Sequence, residues 1–586
     1  MKFLTSYRHV IVLVGITLLL TLLPMVIIGL VLGSEYRGFI PTFGDEPLYP
    51  AHVEAVVTGH LTDGNPYFIE HADGSSLVLF GGAWLNAIPF WLGFSFNTAT
   101  YLNFIIWSAL FALAFYWLLR ELRVTPWVSV GATVALYLMN YAHVWRPINL
   151  QPVYPFFALF YIALARLLRD PSRNNMLLLA LPTGAMFYLF SYLWQTFVIT
   201  LGLLTLWALY TKRWPLFKRT LQASALGGVV GLPALIYIYW VSHTSPYFWE
   251  SIARFGLVET HLPMGEVVYT GGWIGLVLAF VALLYWRTPL CRDSGFVWLC
   301  TFLCLSGLGL WIMQGSNVVT GKLLETGEHI RLFIVPWLLV ATVALGAHLW
   351  RLRDSLSGIY RWVSVAAVVA LVAASSYFTY YYFRMFVYDP ARPTLWREQQ
   401  WYPGPLEWIE ANVATSSVVW INPHDYIDLY LPAMTRHYVL FSTFSMWQLV
   451  SQDEFVERYL VSQYFDNPSA ATLRAKSEVY LGRQYLHWPP TIAREIAFCK
   501  LIHFWQSDPS CGTPKTKEDL LGSTYFDDLE RRLVTDIRPN IRAYLRKYQV
   551  SYILKDTVLD PHYDPEALGA ELVYHDARYR LYYLPQ

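Results

Sequence analysis

Two adjacent carboxylates, Asp45 and Glu46, follow the first long apolar segment, in the string Gly44-Asp45-Glu46-Pro47-Leu48-Tyr49. Only 14% of the chain is charged, against about 25% in soluble domains. A carboxylate at the boundary of lipid and water meets both a lipid-borne substrate and an aqueous acceptor. The pair also suits a simpler role. Pro47 fits the first turn of a helix, with Asp45 or Glu46 as its cap. Residues Leu48 to His60 alternate apolar and polar positions at helical spacing. On that helix Tyr49, His52 and Glu54 are the polar side chains nearest the pair, and its amphipathic pattern predicts that it lies in the interface.

Further charged groups stand where apolar runs begin or end. Lys322 precedes Gly327-Glu328-His329-Ile330-Arg331, which leads into a long apolar run. An arginine at that depth is costly unless it is paired or functional. Glu325 and Glu328 are its nearest acidic neighbours. His143 and Arg146 occupy a short polar connection, and Glu250, His261 and Glu266 occupy a longer one, 242–270, that has the reach to close over a site or hold a cation.

The elements that position these residues are mostly membrane spans. Of 586 residues, 55% are hydrophobic and 17% aromatic, and the mean hydropathy is +0.37. The net charge of +1 gives no field that would recruit nucleic acid. Apolar runs near 9–33, 99–120, 125–142, 151–169, 175–191, 195–211, 219–241, 271–287, 296–314, 331–350 and 362–383 predict about eleven spans. The first is too long and uniform for a cleaved leader and is expected to be retained. The 25 Trp and 41 Tyr fit interfacial belts and packing. No Asn-x-Ser/Thr sequon with a permitted middle residue occurs, which favours a prokaryotic membrane.

Positive charge sets the expected orientation. Lys2 and Arg8 put the N-terminus inside, so Asp45 and Glu46 fall outside. The run 77–95 contains Gly81-Gly82, Asn86 and Pro89 and reads as an interfacial or re-entrant helix. If it does not cross, the clusters Arg120/Arg123, Arg166/Arg169/Arg173, Lys212/Arg213/Lys218/Arg219, Arg287/Arg292 and Arg351/Arg353/Arg361 all fall inside. The chain thus divides into a membrane domain, 1–383, with an outer loop at 34–98, and an extracytoplasmic α/β domain, 384–586. Strands are expected at 417–421, 550–554 and 579–584, with helices at 454–464 and 541–548. Cys499 and Cys511 are the outer domain's two cysteines and are expected to form a disulfide in an oxidising compartment. Cys291, Cys300 and Cys304 lie at the inner face or within a span. No spacing resembles a zinc site.

An outside Asp-Glu pair after the first span, then Tyr49, an amphipathic helix ending in glycine and an apolar run ending near Phe94, resembles the GT-C superfamily of glycosyltransferases. These include protein O-mannosyltransferases, lipid A aminoarabinose transferases and the catalytic subunit of oligosaccharyltransferase. The motif covers residues 34–95; the span pattern covers the rest. The resemblance implies a polyprenyl-phosphate or polyprenyl-diphosphate sugar donor and a protein, lipid or glycan acceptor. It implies Asp45 as general base in a single inverting displacement. Glu46 would orient the acceptor or share a divalent cation, Mg or Mn, with Asp45. The departing lipid phosphate needs positive charge. Arg331 leads the candidates because guanidinium meets phosphate bidentately, with His329, Lys322, Arg146 and His143 as further contacts. The Trp-Trp-Asp-Tyr-Gly motif of oligosaccharyltransferase is absent. The nearest string, Ile421-Asn422-Pro423-His424-Asp425-Tyr426-Ile427, keeps only Asp-Tyr. Two rival readings are a transporter or flippase of a lipid-linked envelope precursor and a non-catalytic scaffold of envelope assembly. The first would want charges near the bilayer midplane and paired broken helices.

Overall fold

The computed structural model describes residues 2–585 apart from 42–46, 61, 63, 78–80, 147–149, 264, 325, 356–357, 359–360, 363–364, 367–368, 370–371, 374–375, 378–379, 382–391, 423–425 and 507–509. Asp45, Glu46 and Glu325 therefore lie outside the described residues. So do the side chains of Glu266 and Glu328.

The apolar runs fold into a bundle. Its helices are α1 (Lys2–Leu32), α4 (Phe96–Glu121), α5 (Pro126–Met139), α7 (Val153–Arg169), α8 (Arg173–Leu189), α9 (Ser191–Tyr210), α10 (Trp214–Thr244), α12 (Gly265–Arg287), α13 (Ser294–Gln314) and α15 (Thr326–Arg351). Between them lie the shorter α2 (Leu48–Val57), α3 (Gly81–Trp91), α6 (Tyr141–Val144), α11 (Phe248–Phe255) and α14 (Asn317–Thr320). Seven described helices are long and apolar enough to cross a membrane: α1, α4, α9, α10, α12, α13 and α15. The chain is a polytopic helical membrane protein. Three expected spans are shorter: α5 has 14 residues, and α7 and α8 have 17 each, against about 20 for a perpendicular crossing. The expected span 362–383 lies largely outside the described residues. At 11 residues, α3 is about 16 Å long and too short to cross.

Small residues let α8 and α10 approach closely. A Cβ on Gly231 would sit 2.4 Å from the Phe187 ring, and one on Gly184 would sit 2.6 Å from Val230. Close backbone approach of this kind drives helix association in lipid, where no hydrophobic force acts between helices. The arginine-rich ends gather at one end of the bundle. Glu121, closing α4, accepts from Arg166 and Arg169 at the end of α7, at 2.9 and 2.8 Å. The C-terminal domain sits at the other end.

That domain holds a five-stranded sheet in the order β4-β3-β5-β7-β6. The strands are β3 (Val418–Ile421), β4 (Tyr438–Val439), β5 (Val550–Asp556), β6 (Glu571–His575) and β7 (Tyr579–Tyr583). β3 pairs in parallel with β4 and β5; β7 pairs antiparallel with β5 and β6. The three predicted strands are present, and β4 and β6 join them. The predicted helices run Gln452–Ser462 and Ile541–Lys547. Cys499 and Cys511 form a disulfide.

Residues after 384 do not complete this core alone. Phe39, Leu48, Val53, Val56, Tyr67 and Phe68 from the first loop are buried in the same apolar cluster as Val419, Trp420, Tyr430 and Leu554. The amphipathic α2 lies against the helix Ile427–Met434, with eight of its ten residues buried. The Tyr67 carbonyl accepts from Val439 N at 2.9 Å, beside β4. Buried Arg458 donates to Glu70 at 2.5 Å and to Glu454 at 2.9 Å, and His71 pairs with Glu454 at 3.0 Å. Burial alone would raise the Glu454 carboxyl, but His71 and Arg458 outweigh it and hold it at about 2.

A second tie comes from α11. Arg254 is fully buried. Its guanidinium donates to the carbonyls of Met446, Gln448 and Val450 at 2.8, 2.8 and 3.1 Å, and burial lowers it to about 10. Its own carbonyl accepts from Arg483 N at 2.8 Å. Gly482 makes that approach possible. Its φ is +75°, and a Cβ there would lie 2.2 Å from the Arg254 carbonyl oxygen. Arg254→Ala takes the donor from the buried Met446 and Val450 carbonyls, while Gln448 keeps Ser251 Oγ and Val450 N, and is expected to cost about 3 kcal/mol. Thermal unfolding of the purified protein in detergent measures this; an unchanged midpoint would mean that other contacts hold the loop.

Candidate functional site

Helix α2 turns two sides of its surface to two pockets. Tyr49 and His52, one turn apart, face a cavity of about 530 Å³ at the end of the bundle that carries the C-terminal domain. Its walls come from the ends of α8, α9, α10, α13 and α15, from α11, and from Trp447 of the C-terminal domain. The volume lies within the usual range for small-molecule sites. Its surface is largely aromatic. The Tyr49 ring lies 6.0 Å from Trp447, which meets Phe255 at 4.8 Å. His329 stacks on Tyr192 at 4.6 Å. Lys322 holds its ammonium 4.0 Å from the centre of the Trp249 ring, a cation–π contact that keeps a positive charge at an apolar wall. Four sequence candidates thus meet in one cavity: Tyr49, His52, Lys322 and His329.

A cationic group lies against the same helix. Arg146 donates to the Tyr49 hydroxyl at 2.7 Å, with its guanidinium carbon 5.0 Å from the ring centre. His143, in the turn following α5, is lowered to about 4 by burial and by the charges of Arg146 and Arg331. It is therefore neutral near pH 7. Arg331 is exposed and makes no hydrogen bond or ion pair within the described residues. It does not line the 530 Å³ cavity, whereas His329 does. Two residues on a helix stand about 200° apart, so the two side chains leave α15 on different sides. Arg331 belongs instead with His143 and Arg146.

Other candidates go elsewhere. Glu54, about 200° round α2 from His52, lines a separate pocket with Thr58, Arg436 and His437. Burial, then the Glu410 charge, raise its carboxyl to about 7 against the opposing pull of Arg436. An acid raised in the folded state costs stability as pH rises from its unfolded value near 4.5 to the folded value, and the loss is complete above about 7. Glu54→Gln should therefore stabilise the protein at pH 8 by on the order of 2 kcal/mol, with the gain vanishing below about pH 4.5. Unfolding midpoints across that range measure it; a gain independent of pH would discount the carboxyl.

Glu250 does not reach the cavity either. Its carboxylate accepts from Gln452 N at 2.8 Å, capping the helix Gln452–Ser462. His261 bonds the Val318 carbonyl at 3.0 Å, close to the short pairing of β1 (Val258–Glu259) with β2 (Lys322–Leu323). Both carry structure among the described residues. Of the Asp-Tyr string, Asn422 donates to Asp560 at 2.6 Å, and residues 423–425 lie outside the described residues. The described metal-type cluster is Cys499, His503 and Cys511, whose sulfurs are bonded to each other.

Sequence reasoning missed Arg254, Glu70, Arg458 and Trp447. All act across contacts of well over a hundred residues, which no local pattern announces. The sequence places Arg254 on the polar side of α11 with Glu250 and Ser251, so only the fold reveals its burial. It shares the buried side of α11 with Phe248 and Ser251, and a charge that is buried needs a specific partner. No protein-family model matches the chain, and no curated protein matches it.

Proposed function

We propose that this chain is an integral-membrane glycosyltransferase of GT-C type. It moves a sugar from a polyprenyl-phosphate or polyprenyl-diphosphate donor to an acceptor hydroxyl on the outer face of the membrane. The observation that carries this reading is the convergence of Tyr49, His52, Lys322 and His329 on one aromatic cavity. Arg146 is bonded to the same Tyr49, three residues beyond the Asp45-Glu46 pair.

In this reading the acceptor oxygen attacks the anomeric carbon as Asp45 takes its proton. The bond from that carbon to the phosphate oxygen breaks, and the lipid phosphate leaves with the electron pair. One displacement inverts the configuration. Arg146 and Arg331 neutralise the leaving phosphate, and neutral His143 adds a hydrogen-bonding group without a third charge. The aromatic wall accommodates apolar parts of the donor. Glu46 orients the acceptor or shares a divalent cation with Asp45.

The test is transfer by the purified full-length protein from a panel of polyprenyl-phosphate and polyprenyl-diphosphate sugars. Formation of a glycosylated acceptor, or slow hydrolysis of one donor, supports the enzyme. Movement of intact donor across a vesicle membrane with no bond cleavage would favour the transporter reading. Inertness in both assays would leave the scaffold.

A further inference from the structure

The helix Gln484–Ile502 ends in an exposed apolar stripe. Its N-terminal part is anchored: Gln484, Thr491 and Ile496 are buried. From there it runs beside the chain segment that enters the membrane. The His487 ring lies 3.1 Å from the Cβ position of Gly256. Farther along, Trp488, Thr491, Ile492 and Glu495 share a groove with Trp249, Leu257, Glu259 and Lys322. The segment thus tracked, 256–259, passes into α12, one of the seven helices fit to span a bilayer. With 19 residues the helix is about 28 Å long, so its C-terminal end continues beyond that groove.

Phe498, Leu501 and Ile502 stand at i, i+3 and i+4, on one face of the helix, and Trp505 follows in the turn beyond its end. All four are exposed, and Phe504 beside them is 79% exposed. The disulfide from Cys499 to Cys511 ties the base of this tip, and Lys500 stands within it. A soluble surface rarely leaves so many large apolar side chains together. The same end of the bundle also exposes Val268, Tyr269 and Val319, at the mouth of α12 and in α14. Aromatic, aliphatic and lysine side chains in this combination match the headgroup zone of a bilayer.

We propose that the segment Phe498–Trp505 sits in the lipid headgroup and upper acyl region as a monotopic anchor of the C-terminal domain. It seats that domain on the bilayer through a second contact, independent of the spans and of any catalytic reading. The anchor reads lipid through apolar insertion, about 5–10 Å deep, so neutral phosphatidylcholine suffices.

The full-length protein in phosphatidylcholine vesicles tests this. In a Cys291→Ser background, an environment-sensitive dye is placed at Phe504→Cys, at Trp505→Cys as a second position, and at the exposed loop position Thr415→Cys for comparison. Peptide mapping checks that the Cys499–Cys511 bridge is intact. The dye at 504 or 505 is expected to shift to shorter wavelength. It should also be quenched severalfold more by lipids brominated near the headgroup end of the chain than the dye at 415. Equal quenching by aqueous iodide at all positions, with none from brominated lipid, would overturn the proposal. Shielding that follows self-association rather than lipid would overturn it too, and assign the stripe to a second copy of the chain.

Discussion

Replacing Asp45 by asparagine is expected to lower sugar transfer by about 10²–10⁴-fold, the usual contribution of a positioned general base, while leaving the unfolding midpoint unchanged. The substitution separates the two roles open to this residue. As a helix cap, asparagine is as good as aspartate, so a purely structural Asp45 would tolerate it. As a base, the amide has no proton affinity to offer. The helix that follows three residues later is rigidly held. Leu48, Ala51 and Val53 are fully buried, and the Leu48 carbonyl accepts from the Tyr67 hydroxyl at 3.4 Å. Initial rates of the purified variant decide the matter. Wild-type turnover by Asp45→Asn would sink the assignment.

Loss of the paired guanidiniums is expected to act on donor binding. Arg331→Ala and Arg146→Ala should each weaken donor affinity by about 10–100-fold, the equivalent of a charge-assisted hydrogen bond worth about 1.5–3 kcal/mol. Arg331→Lys should recover part of the loss, because an ammonium keeps the charge but not the planar fork. Arg146 has a second duty, its 2.7 Å bond to the Tyr49 hydroxyl. Tyr49→Phe removes that bond and keeps the charge, so it should leave donor affinity nearly intact. Binding of a non-hydrolysable polyprenyl-phosphate analogue measures all four. If Arg331→Ala binds like wild type, the phosphate contact passes to Arg146 and Lys322. If Tyr49→Phe matches Arg146→Ala, the arginine acts by holding α2.

Much of the architecture was legible in the sequence because it rests on local periodicity. Long apolar runs must satisfy their own backbone in lipid and so become helices. The arginines at their ends mark one end of the bundle, now seen in the Glu121, Arg166 and Arg169 cluster. The alternation at 550–554 and 579–583 pairs as β5 and β7. The shortness of α3 follows from its glycines and proline. What local pattern could not supply was the direction of single side chains and the partners of distant segments. Arg331 leads His329 as a letter, yet the rotation of α15 sends the histidine into the cavity. Glu54 reads as a neighbour of His52 but sits on another side of α2, where burial, not catalysis, raises its carboxyl. The first loop reads as a free outer segment, whereas Phe39, Tyr67 and Phe68 complete the core of a domain hundreds of residues away. Arg254 and Arg458 close that assembly through carbonyls and carboxylates that no short motif encodes. The sequence by itself determined the long apolar helices, the charge asymmetry and three of the five strands of the C-terminal sheet, since each depends on neighbours a few residues apart. The tertiary structure alone decided which polar groups share a cavity, because that depends on helix rotation and on long-range burial.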